Sequence, residues 1–310
     1  MQDNKIIRLV EERGYAMSQY KHVIKKIISY CQKYITNDYE KHTSEYEIEI
    51  PKNITQLIDI VSDLNIIINI TNYNKDFDNI KYASGSGSAS VILSNYIDEN
   101  NKLNKYQIIV NGISYNGIIL EKTLFSNLSH EFNHLYLEYK HLLKNGNNVK
   151  YYIDTRNKLI SKNTKFSEIP QFNNYLKTIF YRLLDYSELN ALINSVYGDL
   201  AGINSERDNF HIDIKNTAAY YIYKSINNYF DDFCKVLDVD DWNVIKKAYY
   251  NMSNHRDNNL NAFKTYFIRL VKLRLTELIN GIGKVASYYY DTKDDLELME
   301  SLKNDEMIYI

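Results

Sequence analysis

Residues 119–143, ILEKTLFSNLSHEFNHLYLEYKHLL, decide how the rest of the chain is read. Leu124, Leu128, Phe132, Leu135, Tyr139 and Leu142 recur at three- and four-residue spacing, which predicts a helix with one apolar stripe for a core. Within that helix stands Ser129-His130-Glu131-Phe132-Asn133-His134-Leu135, a His-Glu-x-x-His element. With seven His in the chain, a chance match somewhere is on the order of one in a hundred. His130 and His134 project from adjacent turns of one face, about 6 Å apart along the axis. Two imidazoles so placed can close on one metal ion. Glu131 stands beside them, able to reach a metal-bound water but out of line to be a third ligand. A solvated surface helix would explain the His and Glu singly, but not their spacing or the strands that precede them.

A tetrahedral catalytic zinc needs a third protein ligand and an open position for water. His141 lies about 10 Å beyond His134 on the same helix, and no Gly follows His134 to break it. Glu138 has the same difficulty in milder form. A second helix is the better source. Tyr186-Ser187-Glu188-Leu189-Asn190-Ala191 offers Glu188, 54 residues beyond His134, with Ser187 as the expected N-cap. Small Ala191 sits one turn on, where two helices could approach closely. A Glu at a helix start also serves simply to favour that terminus electrostatically, and His211 and His255 are the other candidates for third ligand. Two imidazoles and a carboxylate favour Zn²⁺ among divalent ions, one per chain.

Working outward, Tyr46, Ile48 and Ile50 alternate with Glu45, Glu47 and Glu49, the pattern of a half-buried strand that Pro51 stops. Ile54 to Leu64 returns to helical spacing. Asn65–Thr71, Ser90–Ser94 and Tyr106–Val110 read as three strands, so residues 44–143 run strand, helix, three strands, helix. Residues 5–36 read as one amphipathic helix, with Ile6, Leu9, Val10, Tyr20, Val23, Ile24, Ile27 and Ile28 largely on one stripe. Beyond residue 144 strand signals fade. Helices are expected at 170–184, 188–200, 216–236, 240–252 and 258–288, with Pro170 suited to a first turn and Asn145–Asn148 as the joint. The expected architecture is α+β. An N-terminal helix (1–43) precedes a small mixed sheet with the His-Glu helix (44–143), and a mainly helical part (144–310) supplies the third ligand.

Composition narrows the function. Of 310 residues 45% are apolar, enough for a real core, and Lys+Arg 37 against Asp+Glu 39 leaves a net charge of −2, which argues against a nucleic-acid partner. Cys31 and Cys234 make no pairing pattern and read as free thiols of a reducing compartment. The start, MQDNKIIRLVEERG, lacks the apolar run of a signal peptide, and no apolar run approaches the roughly 20 residues of a membrane span. A cytoplasmic location with no membrane association is therefore expected. The Ser-Gly stretch Ala83–Ser88 lacks Gly-Lys-Ser/Thr and reads as a strand connection, not a phosphate cradle.

On these residues, 44–143 resemble the zincin metallopeptidases: a small sheet with a crossing helix, an edge strand near Tyr106–Val110, then the helix of His130-Glu131-x-x-His134. Glu188-Leu189-Asn190-Ala191 is similar to the Glu-x-x-Ala form of the gluzincin ligand helix. The longer His-Glu-x-x-His-x-x-Gly-x-x-His element of metzincins is absent. A similarity to predicted peptidases of this type encoded by tailed phages is also expected. The resemblance implies one zinc on His130, His134 and Glu188, Glu131 as general base, and a peptide or protein substrate laid along the Tyr106–Val110 edge. It does not reach residues 1–43 or 200–310. Two other functions stay open: a zincin-like scaffold that binds a protein partner without catalysis, and a metal hydrolase acting on a small amide.

Overall fold

The computed structural model describes residues 20–38, 41–74, 87–90, 97–146, 169, 172–252 and 259–290. The architecture is α+β, with the strands in the first half of the chain and, among the described residues, helices alone after residue 146. The described part of the first helix, α1 (20–32), buries Tyr20, Val23, Ile24, Ile27 and Ile28 of the expected stripe, and Cys31 beside them. Four strands follow: β1 (Thr43–Glu49), β2 (Val61–Tyr73), β3 (Gly87–Ser90) and β4 (Leu103–Tyr115). Ile48 of β1 is buried while Glu45, Glu47 and Glu49 are exposed, and Ile66, Ile68 and Ile70 alternate in β2 as Tyr106, Ile108 and Val110 do in β4. Such alternation seats one face of a sheet on a core.

The sheet is mixed, in the order β1-β2-β4-β3. β1 is antiparallel to β2, β2 parallel to β4 with Val61 opposite Leu103, and β3 antiparallel to β4 with Ala89 opposite Ile108. Two expectations are corrected here. Residues 54–64 are not one helix: a single turn, α2 (Lys52–Thr55), is followed by β2 from Val61. Pairing of Val61 with Leu103 in the sheet overrides helical spacing in so short a run. Tyr106–Val110 is not an edge strand, because β4 is hydrogen-bonded on both sides and β3 lies outside it. Residues 5–19, the Ser-Gly stretch up to Ser86, Val91–Ser94, Asn147–Asn148, Pro170 and His255 lie outside the described residues.

After β4 the chain reverses through Asn116-Gly117, both at positive φ (49° and 80°), the pairing that a two-residue hairpin loop demands. The short β5 (Ile118–Ile119) pairs back on β4 and delivers the chain into α3 (Glu121–Asn145). Two side chains fix that entry. Asn72 Oδ1, fully buried, accepts from Ser114 Oγ (2.8 Å) and the Gly117 amide (3.0 Å). Gln32 of α1 donates to the Gly117 carbonyl (2.6 Å) and accepts from the Ile119 amide (3.0 Å). At the other end of α1, the Tyr20 ring meets Phe132 edge-on at 5.4 Å, so α1 runs antiparallel along α3.

The helical part comprises α4 (Asn173–Thr178), α5 (Tyr186–Gly202), α6 (Phe210–Lys215), α7 (Ala218–Val236), α8 (Val239–Met252) and α9 (Leu260–Tyr289). Helix α4 continues into a π-helical turn, Ile179–Leu184. Leu189, Leu192, Val196 and Leu200 of α5 join Phe267, Val271, Leu278 and Ile282 of α9 in a core continuous with the sheet side. Leu124, Leu128, Phe132 and Leu135 of α3 are fully buried, as their spacing predicts. Cys31 and Cys234 are free, and burial pushes both thiols up to about 12. Among the described residues, no helix is long and apolar enough to cross a membrane.

Candidate metal centre

Helices α3 and α5 pack along one another, and their seam brings three sequence-distant side chains to one point. Among the described residues, His130, His134 and Glu188 are the one group of three ligating side chains, with their ligand atoms all within 4.8 Å of one another. The Nε2 atoms of His130 and His134 stand 3.1 Å apart. Glu188 Oε1 is 3.3 Å from His134 Nε2, and Oε2 is 3.6 Å from His130 Nε2. Ligands at about 2.05 Å from a common centre and at tetrahedral angles stand about 3.3 Å apart. The contacts to the two imidazoles end on different oxygens of Glu188, so four ligand atoms converge at separations near those of ligands that share one ion.

The local sequence explains this geometry. Four-residue spacing stacks His130 over His134 on α3. Glu188 is the third residue of α5 and sits over them because the helix starts at Tyr186. Its start is set by Asp185, whose Oδ1 accepts from the Glu188 amide (3.2 Å) in the way an N-cap accepts from N3. This corrects the expectation for Ser187, which is the second residue of the helix. The Glu188 carboxylate does not reach back to the helix terminus. It bridges the imidazoles and Arg182, whose Nη1 donates to Oε2 at 2.9 Å. Burial pushes the Glu188 carboxyl up, but hydrogen bonds and charge from His130 and His134 outweigh it and hold the group well below the usual carboxylate range.

Glu131 is 2% exposed, next along α3 from the first imidazole. Glu131 does not belong to the three-residue group. The other candidates are elsewhere. His211 lies exposed on α6, against the Phe210 ring. Glu138 is buried one turn past His134, and His141 is half-buried further on; neither belongs to the three-residue group.

Three features of the seam were not anticipated. Gly198 and Gly202 touch α3 so closely that a Cβ on either would stand 2.6 Å from Ser129 Oγ and Lys122 Cα respectively. Their four-residue spacing on the Glu188 helix is a legible sign of close helix approach, beyond the single Ala191 that was read, which is itself fully buried. Asp199, 5% exposed, accepts from the Ala218 amide at the start of α7 (3.1 Å) and from Ser126 of α3, tying three helices together. Arg182 depends on the π turn and leaves no mark in the apolar periodicity. Comparison of the chain with protein-family models, with curated proteins and with solved structures finds no match.

Proposed function

We propose that the chain is a zinc-dependent metallopeptidase of zincin type, with His130, His134 and Glu188 as ligands and Glu131 as general base. The observation that carries this reading is the convergence of His130, His134 and Glu188, one ligand atom of each lying within 4.8 Å of the others, from a His-Glu-x-x-His helix and a second helix. A zinc ion held there supplies a Lewis acid for the scissile carbonyl and lowers the pKa of a bound water toward about 7. Glu131 takes the proton of the attacking water and returns it to the leaving amine, with its own burial keeping competing water away. Strand β3, outside β4 and packed against α3, offers its outer backbone groups to an extended peptide by strand addition. Its four residues, Gly87-Ser88-Ala89-Ser90, are small, so a substrate backbone can lie close.

The test is the metal content of the full-length protein purified without chelator, counted by plasma mass spectrometry, beside hydrolysis of a quenched-fluorescence peptide library. One zinc per chain, lost in His130→Ala and in Glu188→Ala, together with peptide cleavage, is the expected result. A protein that takes no zinc when it is supplied would sink the reading. Zinc uptake with no cleavage of any peptide would leave a metal-bearing scaffold for a protein partner.

A further inference from the structure

We propose that Arg182 is the positioning residue of this centre: it holds one oxygen of Glu188 so that the other faces the metal position, and thereby sets the affinity for the ion. The inference rests on the metallopeptidase reading and adds to it the control of metal loading.

Glu188 occupies the third position of α5, where a Glu has two other uses. It can fold back on the amide at the helix start, as in a capping box, or point to water. Its side chain is 30% exposed, so solvent is within reach. Neither alternative is taken. Arg182 Nη1 binds Oε2 at 2.9 Å, and Oε1 is left 3.3 Å from His134 Nε2. Oε2 is shared between the guanidinium and His130 Nε2, 3.6 Å away, so the hold of Arg182 on Oε2 leaves Oε1 turned to His134.

The backbone puts Arg182 in place by an unusual route. Ile179–Leu184 is a π-helical turn whose buried Ile179, Phe180 and Leu183 anchor it in the core, and Arg182 is carried on its wider spiral. Single π turns are rare and frequently found at functional sites. Asp185 then breaks the helix and caps α5, so Arg182 and Glu188 face one another across a corner of five intervening residues.

Arg182 exerts two opposed effects on a bound cation. Its charge repels the ion and draws electron density from the ligand carboxylate. Its hydrogen bond fixes the rotamer of that ligand. The Arg182 side chain is 43% exposed, so solvent screens the charge, while the orientation is not screened. Orientation therefore wins, and loss of an outer partner of a metal ligand typically costs about 10–100-fold in affinity.

The experiment measures zinc affinity of the full-length chain by competition with a chromophoric chelator, for the wild type, R182A, R182Q and R182K, and records the visible ligand-field spectrum of each cobalt-loaded protein. R182A is expected to bind about 10–100-fold more weakly with an altered cobalt spectrum, R182K to recover part of the loss, and the urea midpoint of the metal-free protein to stay unchanged. R182A binding as tightly as the wild type, or more tightly, with the same spectrum would overturn the inference and leave the metal centre standing. A wild type that takes no zinc overturns the centre itself. Should R182A not fold, the order wild type above R182K above R182Q carries the test, and equal affinities across it overturn the proposal.

Discussion

A Cβ built on Gly198 would stand 2.6 Å from Ser129 Oγ and 2.8 Å from Ser129 Cβ, with the Ser126 Cα at 3.0 Å, so the Glu188 helix rides directly on the His-Glu helix. Ala is the better helix former by about 1 kcal/mol, yet here a methyl group meets backbone that cannot move aside. Gly198→Ala is expected to destabilise the protein by about 1–3 kcal/mol net, read as a lower urea midpoint. Zinc uptake should weaken with it, because Glu188 is carried on the displaced helix. A more stable G198A protein would contradict this packing.

The carboxyl of Asp199 predicts a pH dependence. Burial pushes its pKa up to about 6 from 3.8, while Ser126, the Ala218 amide and Lys122 pull the other way. Between those two values the folded chain binds more protons at this position than the unfolded chain does. Stability therefore falls as pH rises from about 4 through about 6, by up to roughly 3 kcal/mol. Asp199→Asn keeps an acceptor for the Ala218 amide and removes the buried charge. Urea titrations at pH 4 and pH 7 should show the variant gaining on the wild type at the higher pH; a difference independent of pH would refute the assignment.

Glu131→Gln is close to isosteric in a site where the residue is 2% exposed. It should leave zinc stoichiometry intact and lower peptide hydrolysis by about 100-fold or more. Both quantities are measured on one preparation, and hydrolysis at the wild-type rate would remove Glu131 from its role.

Asn72→Ala strips the acceptor from Ser114 Oγ and the Gly117 amide at once. The buried Ser114 hydroxyl and the half-buried Gly117 amide left without this partner cost about 1–3 kcal/mol together. Gln32→Ala, at a half-buried position on the same turn, should cost less. Thermal unfolding of the two variants ranks them, and the reverse order would show that α1, not the β2 side chain, holds the entry to α3.

The pairing of His130 with His134 on one face of a helix is legible because it is periodic. Four-residue spacing in His130 and His134, and the alternation in Glu45–Ile50, are written in consecutive residues and need no partner to be read. What depended on partners was lost. Tyr106–Val110 has the composition of any half-buried strand, and only pairing with β3 shows it to be central. Ile54–Leu64 is too short for periodicity to separate a helix from the start of β2. Asp185 and Ser187 are both good capping residues, and the hydrogen bond to the Glu188 amide decides between them. Arg182 is aimed by a π turn that no helical template anticipates.

The parallel register of β2 and β4 has a kinetic consequence. Val61 must find Leu103, and every later pair repeats that separation of 42 residues, so no local turn can start the zipper. The β4–β5 hairpin and the helices can form from neighbours, on microsecond timescales. Closing the central pair must wait for a long loop to be searched. The slow step of refolding thus belongs to the sheet, and α3 is seated on its final platform only when that step is complete.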